Sequence, residues 1–125
     1  MKKVIHIEDN PEWQTSVRNA IRLNTDIEPV VAYGSMEDFR KANYPRADIY
    51  VCDRHLPERE GNYPDDKTWK YLLNTLTCLY LDSQIIILSS QPPKGHYKNV
   101  VEKIKKSVKL EDFDFEDFRE RVEKH

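Results

Sequence analysis

The chain has 125 residues, the size of one domain with a single hydrophobic core. Its 20 basic and 22 acidic residues give a net charge of −2, so no global field favours nucleic acid or a membrane surface. No apolar run is long enough for a spanning helix, and the first residues lead directly into a strand, which disfavours a secretory signal. Cys52 and Cys78 lack metal-ligand spacing, so we expect reduced thiols and a cytoplasmic protein.

Short apolar runs alternate with amphipathic stretches along the chain. Runs rich in β-branched residues at 4–7, 27–33, 48–52 and 85–88 predict four strands. Because these runs are apolar throughout, they indicate parallel strands that are covered on both faces by helices. The sequence therefore predicts a doubly wound α/β fold in three layers.

Four helices are predicted between and after these strands. Asn10 can cap a helix that begins at Pro11, and Ser35 with Asp38 resembles a weak capping box for the second helix. The apolar faces comprise Trp13, Val17, Ala20 and Ile21 in the first helix, Phe39 and Ala42 in the second, Trp69, Leu72, Leu73, Leu76 and Leu79 in the third, and Phe113, Phe118 and Val122 in the last.

Two regions have no clear periodicity. Residues 58–66 are polar and include Gly61 and Pro64, which predicts a long loop. Residues 91–95 contain two prolines and a glycine, which interrupt regular secondary structure after the fourth strand. Residues 97–106 are compatible with a fifth strand, a short helix, or one followed by the other.

Acidic residues follow two of the predicted strands. Glu8 and Asp9 come after the first strand and Asp53 after the third. Ligands of an open parallel sheet bind beyond the carboxyl ends of its strands, so the three acids are expected to meet if these strands are adjacent. Clustered carboxylates raise one another's pKa values, and a divalent cation such as Mg²⁺ removes that cost. Taken alone, the Glu8–Asp9 pair is equally typical of a helix N-terminus.

A hydroxyl and a lysine extend this set. Ser89 ends the fourth predicted strand and can donate a hydrogen bond to an anion, although it can equally be only a strand terminus. A lysine near position 106 can neutralise an anion as a point charge. Acids, metal, hydroxyl and ammonium together fit phosphoryl transfer, in which a carboxylate can accept the group as an acyl phosphate.

Over nearly its whole length the chain resembles the receiver domain of two-component response regulators. The resemblance lies in Glu8-Asp9-Asn10-Pro11, Asp53-Arg54-His55-Leu56-Pro57 through Gly61, Ile85-Ile86-Ile87-Leu88-Ser89-Ser90, and Lys105-Lys106-Ser107. It implies a flavodoxin-like sheet of five parallel strands in the order 2-1-3-4-5, within a single receiver domain at residues 1–125.

The resemblance also implies a metal site. Asp9 would bind Mg²⁺ directly, Glu8 would act mainly through water, and Asp53 and the backbone carbonyl of His55 would complete the protein ligands.

The remaining roles concern the phosphoryl group. Asp53 would accept it from a histidine kinase or a histidine phosphotransfer protein, Ser89 would hydrogen-bond its oxygens, and Lys106 would form an ion pair with it. Lys105 is the alternative for that lysine.

The chain departs from the family pattern after the fourth strand. The stretch from Ser89 to Lys106 is shorter than in the family, so the fourth helix, part of the face through which receivers signal, is expected to be shortened or irregular. The stretch from Asp53 to Ser89 is longer. Lys103 stands where the family has its aromatic switch residue, and Ser107 stands where it has proline.

These features predict a stand-alone phosphoacceptor that signals by binding a protein, as a monomer or weak homodimer, without direct contact to nucleic acid or membrane. It would not be a classical enzyme. The alternative is a receiver-like interaction module that works without phosphorylation. A phosphohydrolase with an aspartyl nucleophile ranks last, because His55 stands where such enzymes usually have a second acid.

Overall fold

A five-stranded, fully parallel sheet forms the centre of the structure, a computed structural model that describes residues 1–125. Its strands are β1 (Val4–Ile7), β2 (Val31–Tyr33), β3 (Ile49–Cys52), β4 (Gln84–Ser89) and β5 (Val100–Lys105). They lie in the order β2-β1-β3-β4-β5. The predicted fold class and the predicted strand order are therefore confirmed.

Four α-helices cover the two faces of the sheet. They are α1 (Pro11–Ile21), α2 (Met36–Lys41), α3 (Asp66–Leu79) and α4 (Phe115–Glu123), and a short 3₁₀ helix at Leu110–Asp112 precedes α4. Asn10 and Ser35 cap α1 and α2 with their side chains, as predicted. None of the helices combines the length and the apolar character that crossing a bilayer requires.

The sheet separates two hydrophobic cores. Successive strand residues point to opposite faces, so Ile5 and Ile7 face α2 and α3, whereas Val4 faces α1 and α4. Phe39, Trp69, Leu72, Leu73 and Leu76 fill the first core, and Trp13, Val17, Ile21, Phe118 and Val122 fill the second.

Some predicted boundaries were wrong. Only Val31–Tyr33 of the run 27–33 forms a strand, because Pro29 has no N–H to donate to a ladder. Leu79 is 51% exposed, so the buried stripe of α3 ends before it. Ala42 lies just after α2 and is exposed, and Phe113 precedes α4.

The connection between β4 and β5 contains no helix. Residues 90–99 are irregular throughout, and of the conformations left open for 97–106 the structure adopts the strand β5. Two prolines remove backbone donors here, and Asn99 takes a left-handed conformation at φ 66°. Tyr97 covers the sheet instead, with its ring edge-to-face on Trp69 at 5.3 Å between centroids.

We expect Tyr97→Ala to lower the free energy of unfolding by about 2 kcal/mol, because Tyr97 replaces the cover that a helix would give. Urea unfolding measures the change. Tyr71→Ala is the matched control, since Tyr71 on α3 is 50% exposed. Equal losses in the two variants would contradict this role for Tyr97.

One histidine is buried within the sheet. His6 on β1 has no exposed surface, and neither ring nitrogen has a hydrogen-bond partner. Burial lowers its pKa to about 3, with the nearby Lys106 charge acting in the same direction and Asp53 opposing it. The imidazole is therefore neutral in the folded protein at neutral pH.

This histidine makes stability depend on pH. Below pH 6.5 the unfolded chain binds a proton on His6, whereas the folded chain does not, because its His6 pKa is about 3. Proton binding therefore favours the unfolded state, and the free energy of unfolding decreases as pH falls below 6.5. We expect the stability of the native chain relative to His6→Leu to fall by about 2 kcal/mol between pH 7 and pH 5. Urea unfolding with a chelator tests this, and taking the difference cancels the other titrating groups. A constant difference would disprove it.

Candidate functional site

The polar residues singled out in the sequence lie at the carboxyl ends of four strands. Glu8 and Asp9 follow β1, Asp53 follows β3, Ser89 ends β4, and Lys106 follows β5. Backbone bonds hold these ends in register: the Asp53 N–H donates to the Ile7 carbonyl at 3.1 Å, and the Lys106 N–H donates to the Ser89 carbonyl at 2.9 Å. The parallel sheet therefore brings together residues that are distant in sequence.

Three carboxylates converge at this edge. One oxygen from each of Glu8, Asp9 and Asp53 lies within 4.8 Å of the others. Glu8 and Asp53 are buried, whereas Asp9 is exposed. The start of α1 supports the group, because the Asn10 N–H donates to Glu8 Oε2 at 3.2 Å and the Gln14 amide donates to the Glu8 carbonyl.

A buried ammonium lies between two of these acids. Lys106 Nζ is 3.0 Å from Asp53 Oδ2 and also donates to Glu8 Oε1. Only 8% of the Lys106 side chain is exposed. Lys105, which the sequence left as the alternative, is exposed on the strand. Of the two lysines, Lys106 is the one that contacts the acids.

Burial and charge act differently on the two buried acids. Burial and the neighbouring Asp53 raise the pKa of Glu8 to about 8, against the Lys106 charge. Burial also acts to raise the pKa of Asp53, but the Lys106 charge and the hydrogen bond from the His55 N–H outweigh it and hold the pKa below its ordinary value. Asp53 is therefore ionised at neutral pH.

The other candidates line the same site. The His55 N–H donates to Asp53 Oδ1 at 3.0 Å, and His55 borders an open pocket of about 490 Å³ that also reaches Glu8, Asp9, Asp53 and Lys106. Ser89 is fully buried, its Oγ accepts a hydrogen bond from the Gln91 N–H at 3.4 Å, and its hydroxyl helps to lower the pKa of Asp53.

The donor set fits a hard divalent cation. Mg²⁺ prefers carboxylate and carbonyl oxygens and retains several waters, and the exposed side of Asp9 leaves room for them. One ammonium contacts both buried carboxyl groups, and an added cation would favour the ionised form of Glu8, whose pKa burial raises. Glu8, Asp9 and Asp53 are thus the side chains able to hold the ion.

One contact of the site was missed in the sequence. Trp13 was predicted only as a core residue of α1, and it is indeed buried, but Lys106 Nζ also lies 4.9 Å from its ring centroid. No local signal in the sequence could have found this contact, because it joins the first turn of α1 to the residue after β5.

Solved receiver domains share this fold. A beryllofluoride-activated DrrB receiver domain has a TM-score of 0.75 at 16% identity, covering 99% of this chain and 96% of that chain. The Thermotoga maritima response regulator TrrA, in complex with Mg²⁺ and beryllofluoride, has a TM-score of 0.70 at 19% identity, covering 99% and 98%. The phosphorylated cyanobacterial phytochrome response regulator RcpA has a TM-score of 0.71 at 20% identity, covering 98% and 91%.

Neither a protein-family model nor a curated protein matches the sequence. At the identities of the solved structures, the similarity shows that this chain has the receiver fold.

We expect Lys106→Met to lower the free energy of unfolding by about 3 kcal/mol at neutral pH without metal, because it leaves the buried, ionised Asp53 without its cation. Both acids then have raised pKa values in the folded state, so the deficit grows as pH rises. Urea unfolding in a chelator measures it. Lys105→Met is the control, and an equal effect in both variants would show that the buried contact contributes little.

Proposed function

We propose that this chain is a two-component receiver that accepts a phosphoryl group on Asp53 from a phosphohistidine protein, with Mg²⁺, and signals by binding a protein partner. The observation that carries the proposal is the buried Asp53, which contacts Lys106 and lies close to two further acids at the carboxyl edge of a receiver-like sheet. The solved receivers of the same fold include beryllofluoride-activated and phosphorylated forms.

The chemistry follows from the state of Asp53. An ionised carboxylate oxygen attacks the phosphorus, a new P–O bond forms, and the P–N bond to the donor imidazole breaks. The departing imidazole nitrogen keeps the electron pair of that bond and takes up a proton. The His55 N–H orients one oxygen of Asp53 and leaves the side chain fixed for in-line attack.

Glu8, Asp9 and Asp53, with the backbone carbonyl of His55, would hold the Mg²⁺. When bound, the ion neutralises negative charge that develops on the phosphoryl oxygens.

Two residues would recognise the transferred group. Ser89 would donate its hydroxyl to a phosphoryl oxygen, and Lys106 would form the ion pair with another. Lys106 already contacts Asp53. A rotation of its side chain would bring it to the phosphoryl group and would remove it from Glu8.

The protein would work as a single receiver domain over residues 1–125, in the cytoplasm. Its upstream partner would be a histidine kinase or a histidine phosphotransfer protein, and its downstream partner a protein rather than nucleic acid or membrane. It would be a monomer or a weak homodimer. Its self-catalysed phosphoryl transfer would make it a signalling module rather than a classical enzyme.

A second candidate function is an interaction module that keeps the fold without using phosphorylation. The observation that favours it is the β4–β5 connection, where the helix of the usual signalling face is absent.

Intact-mass spectrometry after incubation with Mg²⁺ and phosphoramidate, a small donor with a P–N bond, separates the two candidates. We expect the mass of one added phosphoryl group in the native chain and none in Asp53→Asn. Asp82→Asn is the control, because Asp82 is an exposed carboxylate in the turn before β4 and is expected to leave uptake unchanged.

Mg²⁺ binding without phosphoryl uptake would reject the first proposal and favour the interaction module. Continuous hydrolysis of an added phosphate ester would instead support the phosphohydrolase.

A further inference from the structure

Trp13 connects the acid site to the C-terminal part of the chain. Its ring lies 4.9 Å from Lys106 Nζ on one side. On the other side it packs edge-to-face on Phe113 at 5.1 Å and against Phe115 at 5.7 Å. Phe113 in turn lies 6.1 Å from Phe118 of α4. A continuous row of aromatic rings thus runs from the ammonium to the last helix.

The contact between Lys106 and Trp13 is shielded from water. The Lys106 side chain is 8% exposed, and Trp13 is also 8% exposed. An ammonium over an indole face is attracted by the ring quadrupole, and the attraction strengthens where water is excluded. Three groups therefore fix the ammonium in this structure: Glu8, Asp53 and the Trp13 ring.

The backbone of Lys106 is tied to the sheet, and its long side chain carries the ammonium to the acids. Its N–H donates to the Ser89 carbonyl at 2.9 Å, which ties the residue to the end of β4. We therefore expect the ammonium, rather than the strand, to move when the charge at Asp53 changes. Any movement of the ammonium also changes what lies over the Trp13 ring.

The aromatic route that the receiver resemblance implies is missing. Position 103 is a lysine whose ammonium lies 5.6 Å from the Tyr97 ring and donates to the Gly95 carbonyl. No helix follows β4 to carry a displacement of Ser89. Trp13 is the aromatic ring that the structure places over Lys106.

We propose that Trp13 is a positioning residue for Lys106, and that it couples the position of this ammonium to Phe113, Phe115 and the start of α4. This inference rests on the proposed function for the event that moves the ammonium. A phosphoryl group on Asp53 draws Lys106 away from Glu8 and from the indole face. The ring then repacks against Phe113 and Phe115, and the surface around 107–118 becomes the readout.

NMR of the native chain and its variants tests this. Without metal, the ε-methylene protons of Lys106 are expected to resonate upfield, because the ammonium bonded to that methylene lies over the Trp13 ring. The upfield shift is lost in Trp13→Leu and partly kept in Trp13→Phe, which retains an aromatic face. Trp69→Phe is the control, since Trp69 lies in the opposite core near Arg54.

Beryllofluoride with Mg²⁺ supplies the second arm. In the native chain the upfield shift of the Lys106 methylene protons is expected to disappear, and the backbone amide resonances of 113–118 are expected to change their chemical shifts. In Trp13→Leu the chemical shifts of those amides are expected to stay unchanged, although beryllofluoride binds. If Trp13→Leu fails to fold, Trp13→Phe gives the same comparison with a reduced amide response.

Two results would overturn the inference: identical Lys106 methylene shifts in the native chain and Trp13→Leu, or equal amide responses at 113–118 in both. Phosphoryl uptake, measured by mass on the same samples, reports separately on the proposed function. A chain that takes up no phosphoryl group but shows the upfield shift would retain Trp13 as the positioning residue and reject phosphorylation as the event that moves the ammonium.

Discussion

The structure of the site depends on one buried cation. The Lys106 ammonium is in direct contact with two carboxylates, Glu8 and Asp53, that are almost completely removed from water. An uncompensated carboxylate in such a place would take up a proton rather than remain charged. The lysine keeps Asp53 ionised, whereas burial raises the pKa of Glu8 to about 8, so that this carboxyl holds its proton at neutral pH. A divalent metal at this edge would favour the ionised form of Glu8.

The parallel sheet explains how residues from four strands reach this cation. Each strand ends at the same edge, and the pairing of β1 with β3 places Glu8 beside Asp53. In the β4–β5 pair Ser89 lies opposite Lys105, and the N–H of the next residue, Lys106, donates to the Ser89 carbonyl. The acids sit on short backbone segments that are tied by sheet hydrogen bonds, so their positions are set before any ligand arrives. Lys106 differs from them, because its long side chain reaches in from a fixed backbone and can change partners.

Much of this arrangement was predictable from local patterns. The first four strands follow from β-branched runs, and the starts of α1 and α2 from Asn10 and Ser35. The convergence of the acids follows from their places after β1 and β3, once the receiver resemblance makes these two strands neighbours. The 90–99 connection was not predictable, because prolines and lysines give neither helical nor strand periodicity. The contact between Trp13 and Lys106 was also hidden, since it joins the beginning of α1 to the end of β5 and leaves no local signal. Spacing alone did not separate Lys105 from Lys106, whose contacts differ because successive residues point to opposite sides of the sheet.

The connection between β4 and β5 has a consequence for specificity. Receivers usually have a helix at this place. Here a docking protein would instead meet Tyr97, which is flanked by Lys98 and Lys103. Discrimination between partners depends on what repels the wrong ones as much as on what attracts the right one. For the function proposed above, the absence of this helix would exclude binding by proteins that recognise the helix at this place in other receivers.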